Sequence, residues 1–278
     1  MRRRLDAELV RRGLAASRAR AVEVIDAGEV LVGGMPAANA ATRVDESSAI
    51  VLTGPPPRFV SRGGDKLAAA LDRFGIDPRG RRSLDAGAST GGFTDCLLQR
   101  GAASVVAIDV GRGQLAWSLR TDPRVEVHER TNLRGLLSIG EPAQLAVADL
   151  SFISLRTVAP ALARLTAPDA DLVLLCKPQF EAGRERVGKG GIVRDPAVHR
   201  SVLGEVVGAL AADGLVVVAV VPSPLRGADG NVEFLLHAVK RGSVVGDDVL
   251  DAAVAAAPAR RGEPTPGGTG DAPGEVTR

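Results

Sequence analysis

The chemistry readable in this chain is concentrated in its lysines. Basic residues are nearly all arginine, and lysine occurs only at Lys66, Lys177, Lys189 and Lys240. Arginine stays protonated at any working pH, whereas a partly buried lysine with a second cation nearby can lose its proton and act as a base. Lys66 stands in Ser61-Arg62-Gly63-Gly64-Asp65-Lys66 and Lys177 in Cys176-Lys177-Pro178-Gln179-Phe180. Two acids occupy comparable places, Asp149 in Ala148-Asp149-Leu150-Ser151-Phe152 and Glu233 in Asn231-Val232-Glu233-Phe234. A lone charge at a strand end is usually just solvated. A Lys-Asp-Lys-Glu set can do more: Lys66 beside Lys177 supplies the second cation, and Asp149 and Glu233 hold the ammonium groups and an attacking oxygen in place. Such a set can take the proton of a hydroxyl, a poor nucleophile until it is deprotonated.

A second constellation is the segment Leu84-Asp85-Ala86-Gly87-Ala88-Ser89-Thr90-Gly91-Gly92-Phe93. It joins an apolar run to a helical stretch, where glycines let a ligand approach the backbone and the helix start offers free N–H groups. Asp85, Gly87, Ser89, Thr90 and Gly91 therefore read as a cofactor loop. The spacing lacks both the GxGxxG dinucleotide fingerprint and the GKS/T ending of a P-loop. Asp109 ends the next strand, placed to accept hydrogen bonds from ribose hydroxyls. Asn132 follows the strand after that, at the expected adenine edge, and Arg130 and Arg134 flank it as candidate phosphate contacts. Trp117 reads as packing. His128, His199 and His237 show no ligand spacing, so no metal is expected. Cys96 and Cys176 are not in CxxC spacing, which points to a reducing, cytoplasmic setting without disulfides.

The elements that must position these residues alternate. Apolar runs at Ser83 to Ala86, Val105 to Val110, Val125 to Val127, Leu145 to Leu150 and Leu172 to Cys176 are separated by amphipathic segments, the signature of βαβ units and a mostly parallel sheet. Leu215 to Val221 and Val232 to Val239 have only a turn-rich stretch between them, which predicts an antiparallel hairpin on the sheet edge and places Glu233 early in the last strand. The expected fold is α/β, a Rossmann-like sheet whose terminal antiparallel hairpin resembles that of class I methyltransferases rather than ordinary dinucleotide-binding folds, preceded by a small α+β module.

That first module spans residues 1–57. Leu5, Leu9 and Val10 share a helical face, Gly13 ends the turn, and Ser17 can cap a second helix. Residues 1 to 25 carry seven arginines against Asp6, Glu8 and Glu23, more than the whole net charge of +2. Arg4, Arg12 and Arg18 read as phosphate-gripping residues. The Pro55-Pro56-Pro57 run marks the boundary; residues 58–66 read as a linker, 67–250 as the catalytic domain and 251–278 as a mostly disordered tail. No apolar run approaches the ~20 residues needed to span a bilayer, so no membrane association is expected.

The four charges match the Lys-Asp-Lys-Glu tetrad of FtsJ-like ribose 2'-O-methyltransferases, and SRGGDKL, LDAGASTGGFTD, DVGRGQLAWSLR, ERTN, ADLSFISL, KPQFE and GNVEF resemble the TlyA family over roughly residues 1 to 245. The start, RLDAELVRRGLAASRARAVEVIDAGEVLVGG, is similar to alpha-L RNA-binding modules. The resemblance implies S-adenosylmethionine as cofactor, ribosomal RNA or ribosomal subunits as partner, and methylation of a cytidine ribose 2'-hydroxyl in small- or large-subunit ribosomal RNA. Where that family usually carries Arg-x-Trp-Val, this chain has Pro57-Arg58-Phe59-Val60. Two other readings are a non-catalytic RNA-binding or ribosome assembly factor, against which the intact tetrad argues, and a haemolysin, a label such sequences often bear but for which no membrane element is found.

Overall fold

The computed structural model describes residues 2–15, 18–54, 57–227 and 230–258, without the side chains of residues 19, 20 and 23. The chain divides into two compact units, Met1–Pro57 and Arg58–Arg278.

In the first unit, β1 (Arg3–Arg4) leads into α1 (Leu5–Arg11), followed by α2 (Arg18–Asp26), β2 (Val30–Val32), β3 (Met35–Pro36), β4 (Arg43–Val44) and β5 (Ile50–Leu52). Leu5 and Leu9, one helical turn apart, pack with Ala21, Val24, Ile25 and Val30 into a small core. Strand β2 pairs antiparallel with both β3 and β5, and β1 pairs with β4. Gly33 and Gly34, at φ +60 and +85, form the two-residue turn between β2 and β3, the geometry that a right-twisted hairpin demands. The expected Ser17 cap and Pro55-Pro56 lie outside the described residues.

The second unit contains α3 (Gly63–Phe74), β6 (Arg82–Ala86), α4 (Gly92–Gln99), β7 (Ser104–Ile108), α5 (Trp117–Arg120), β8 (Val125–His128) and β9 (Ala143–Ala148). The chain continues through α6 (Leu155–Leu165), β10 (Thr166–Cys176), α7 (Pro178–Glu181), α8 (Pro196–Ala212), β11 (Val216–Pro222), β12 (Phe234–Val239) and α9 (Asp247–Ala255). Among the described residues a seven-stranded sheet runs in the order β11-β12-β10-β9-β6-β7-β8. Its central strands are near-continuous apolar runs because both faces are covered, by α6, α8 and α9 on one side and by α3 and α4 on the other.

Strands β11 and β12 form the expected antiparallel hairpin at the sheet edge, with β11 outermost and β12 paired to β10. Three features depart from the sequence reading. Glu233 stands just before β12 rather than within it. Helix α3 begins at Gly63, so Lys66 lies in a helical first turn and not in a linker. Phe59 is buried against that turn, where a side chain on Gly64 would overlap its ring. Residues 251–255, expected to belong to the tail, are helical. Helix α9 continues to Ala255 because Leu250 and Ala253 are buried in the core, and residues 259–278 lie outside the described residues.

Candidate active site

The chain runs outward from β6 through β7 to β8, then returns to place β9 on the other side of β6. That reversal opens a crevice at the carboxyl ends of β6 and β9, the usual ligand site of such sheets. Gly87 leaves β6 there at φ +86, and a Cβ on it would stand 2.7 Å from the Asp149 backbone carbonyl, so only glycine allows the two strand ends to approach this closely. Ser61, Gly87, Ser89, Thr90, Asp149 and Lys177 face one cleft. A second, lined by Ala88, Asp109, Gln114, Val127, His128 and Glu129, adjoins it across Ala88 and Ser89.

Each tetrad lysine meets a carboxylate. Lys66 Nζ donates to Glu233 Oε2 at 2.5 Å, with both side chains buried. Lys177 Nζ lies 2.5 Å from Asp149 Oδ1 and donates to Ser151 Oγ at 3.1 Å. The Lys66 pair is assembled from the first turn of α3 and the residue preceding β12, and the Lys177 pair from the ends of β10 and β9. Gly227 approaches Glu233 so closely that a Cβ there would overlap its carboxylate.

The cofactor-loop residues take different positions. Asp109 Oδ2 accepts from the Ser89 N–H at 2.8 Å and Oδ1 from the Gly111 N–H at 2.6 Å, which orients its carboxylate at the second cleft. Asp85 is not on the surface of the loop but fully buried beneath it; Oδ2 accepts from the Thr94 hydroxyl at 2.6 Å and Oδ1 has no partner. Complete burial, opposed by that hydroxyl and reinforced by the charge of Asp149, pushes the Asp85 carboxyl up to about 7. Asn132 is exposed and uses Oδ1 to accept from the Arg134 N–H at 3.1 Å, while the second cleft reaches only His128 and Glu129. Arg130 and Arg134 are exposed nearby.

In the first unit Arg4 and Arg18 remain partly exposed, but Arg12 does not serve as expected. Its Nε donates to Glu8, Nη1 to the Ser48 carbonyl and Nη2 to the Asp45 and Glu46 carbonyls, so all three nitrogens are directed into the fold. Composition shows a basic residue at this position and cannot show its partner.

Sequence reasoning passed over four residues that stand at the site. Ser151 touches Lys177. Glu181 is buried, accepts from the Leu155 N–H at 2.6 Å and from the Ser154 hydroxyl, and so ties the segment after Lys177 to the segment after Asp149. Phe152 is 91% exposed, adopts φ +65 and has its ring centroid 5.2 Å from that of Phe180. In a chain with only 3% aromatic residues, the two phenylalanines in ADLSF and KPQF were a usable signal. Among the described residues no group of three His, Cys, Asp or Glu could hold a metal ion.

A sheet of this order with a glycine loop at its switch point and paired charges at its strand ends defines a methyltransferase domain. The family model for FtsJ-like methyltransferases matches residues 59–240, and that for the S4 domain matches residues 3–50. The chain is 58% identical over 240 residues to the 16S/23S rRNA (cytidine-2'-O)-methyltransferase TlyA of Mycobacterium tuberculosis, covering 84% of this chain and 89% of that one. It is 39% identical to a Brachyspira hyodysenteriae protein named Hemolysin A, covering 84% and 98%. A solved Streptococcus thermophilus structure, also named as a hemolysin, superposes with TM-score 0.73 at 38% identity over 91% of this chain and 94% of that one. The chain belongs to the TlyA family of FtsJ-like methyltransferases that carry an S4 domain. No helix among the described residues is long and apolar enough to cross a membrane.

Proposed function

We propose that the protein methylates the 2'-hydroxyl of a cytidine ribose in ribosomal RNA of the small subunit, the large subunit or both, with S-adenosylmethionine as methyl donor. The observation that carries this reading is the pair of lysine–carboxylate contacts, Lys66–Glu233 and Lys177–Asp149, at strand ends beside the glycine loop.

The donor fits the residues present: the backbone of Gly87 to Gly91 leaves room for a close ligand, Asp109 is oriented to accept from ribose hydroxyls, and Ala107, Leu115 and Val127 give an apolar wall for a purine. The cofactor would supply an activated methyl on a positive sulfonium, which calls for no metal. Lys177, held by Asp149 and Ser151, takes the hydroxyl proton once it is in its free-base form. Glu233 fixes Lys66, and the Lys66 ammonium favours the developing oxyanion. Phe152 offers an exposed ring face on which the base of an extruded nucleotide can stack. Arg4 and Arg18 in the first unit, with Arg130 and Arg134 in the second, contact phosphates. Two buried free cysteines and a ribosomal substrate fit action in the cytoplasm.

The test is incubation of the protein with isotope-labelled S-adenosylmethionine and purified 30S or 50S subunits, followed by mapping of 2'-O-methyl positions. Label at one or a few cytidine riboses is the expected result; label on bases alone, or none in either subunit, would refute the reading.

A further inference from the structure

Arg4, Arg11 and Arg18 of the first unit are bound to acids. Two carboxylates on α1 are almost wholly hidden, with side-chain exposures of 3% for Asp6 and 1% for Glu8. Asp6 Oδ2 accepts from Arg4 Nη2 at 3.0 Å and from Arg18 Nη2 at 2.8 Å, and Asp6 Oδ1 from Arg4 Nε at 3.1 Å and the Ala7 N–H at 2.8 Å. Glu8 accepts from Arg11 at 2.6 and 2.8 Å and from Arg12 Nε at 2.8 Å, and lies 3.8 Å from Arg3 Nη1. While the acids are hidden, their partners face outward: Arg18 is 61% exposed, Arg11 46% and Arg4 44%, whereas Arg3 pairs with the exposed Glu46 at 2.5 Å.

We propose that Asp6 and Glu8 are positioning residues for RNA, holding the guanidinium groups of Arg4 and Arg18, and of Arg11, in fixed directions for contact with phosphate oxygens. The inference rests on the reading of this unit as RNA-binding. A guanidinium carries five N–H donors, and Arg18 commits only one nitrogen to Asp6, so outward donors remain. A free arginine loses rotamer freedom when it grips a phosphate; one already held by a buried acid has lost much of it beforehand. Arg4, Arg11 and Arg18 outnumber Asp6 and Glu8, and burial keeps these two carboxylates away from an approaching anion.

This arrangement predicts an effect opposite in sign to simple electrostatics. Neutralising an acid in a basic RNA-binding module should tighten binding if only net charge matters. Here Asp6→Asn and Glu8→Gln should each weaken binding of the full chain to purified 50S or 30S subunits by about fivefold, on the scale of one freed side chain. In an Arg4→Ala/Arg18→Ala background, Asp6→Asn should have little further effect, whereas damage to the module alone would add to the loss. Asp6→Glu keeps the charge but displaces both guanidinium groups by one methylene, and binding should weaken there as well, which retains a test if Asp6→Asn fails to fold. Unchanged or tighter binding in folded Asp6→Asn, Glu8→Gln or Asp6→Glu, or full additivity in the arginine-free background, would overturn the proposal. If Arg4→Ala and Arg18→Ala themselves leave binding unaltered, it is the RNA-binding reading of the unit that fails.

Discussion

Lys66 Nζ and Glu233 Oε2 stand 2.5 Å apart although 167 residues separate them in the chain. A buried ion pair costs much desolvation, and the loss of one partner strands the other, at about 3 to 5 kcal/mol. Glu233→Gln or Lys66→Met alone should therefore lower both stability and methyl transfer. The double variant Lys66→Met/Glu233→Leu should regain much of the stability, since well-packed apolar residues often replace a buried pair without loss, yet remain inactive. Denaturant unfolding together with a transfer assay measures both, and an active double variant would remove the pair from the chemistry.

Asp109 should govern cofactor affinity. Its carboxylate is aimed by the Ser89 and Gly111 N–H groups, so Asp109→Ala removes a charged acceptor worth about 1.5 to 3 kcal/mol from any ribose hydroxyl it holds. Titration calorimetry with S-adenosylmethionine should show a weakening of about tenfold or more. Unchanged affinity in a folded variant would contradict the assignment.

Asp85 should make stability depend on pH. Its folded value of about 7 lies above the ordinary carboxylate value of 3.8, so the folded state binds the extra proton between these limits. The sign follows: the native state loses stability as pH rises from about 4 to about 7, and the penalty is complete above that. Asp85→Asn keeps the shape and removes the ionisation. Thermal unfolding should find the variant gaining on the wild type between pH 5 and pH 8; a difference that does not change with pH would show that Asp85 carries no such penalty.

The legible part of the fold was the part that burial writes into composition. Strand segments such as Val105–Ile108 and Leu145–Ala148 are apolar and buried throughout because the sheet is covered on both faces. The hairpin at the sheet edge was legible, but that β12 rather than β11 pairs with β10 is a matter of strand pairing, which a run of apolar residues does not encode. Scarcity of lysine singles out Lys66 and Lys177, but which carboxylate each takes depends on elements brought together from distant parts of the chain. Arg12 illustrates the same limit in the first unit: its basic residue type is visible, while its contacts with Glu8 and three backbone carbonyls arise only after folding. Ser151 and Glu181 escaped notice because a small polar residue and a lone acid at the end of a one-turn helix are ordinary until their partners are known.

The most direct test of the proposed chemistry is the single-turnover rate of methyl transfer by Lys177→Arg. Arginine keeps the charge and much of the reach toward Asp149, but it cannot give up its proton near neutral pH. With S-adenosylmethionine and ribosomal subunits bound at near wild-type affinity, transfer should fall by about 100-fold or more, the scale of a lost general base, and the loss should appear in the transfer step rather than in binding. A Lys177→Arg protein that transfers methyl at the wild-type rate would contradict proton abstraction by this residue and leave it a role in charge balance alone.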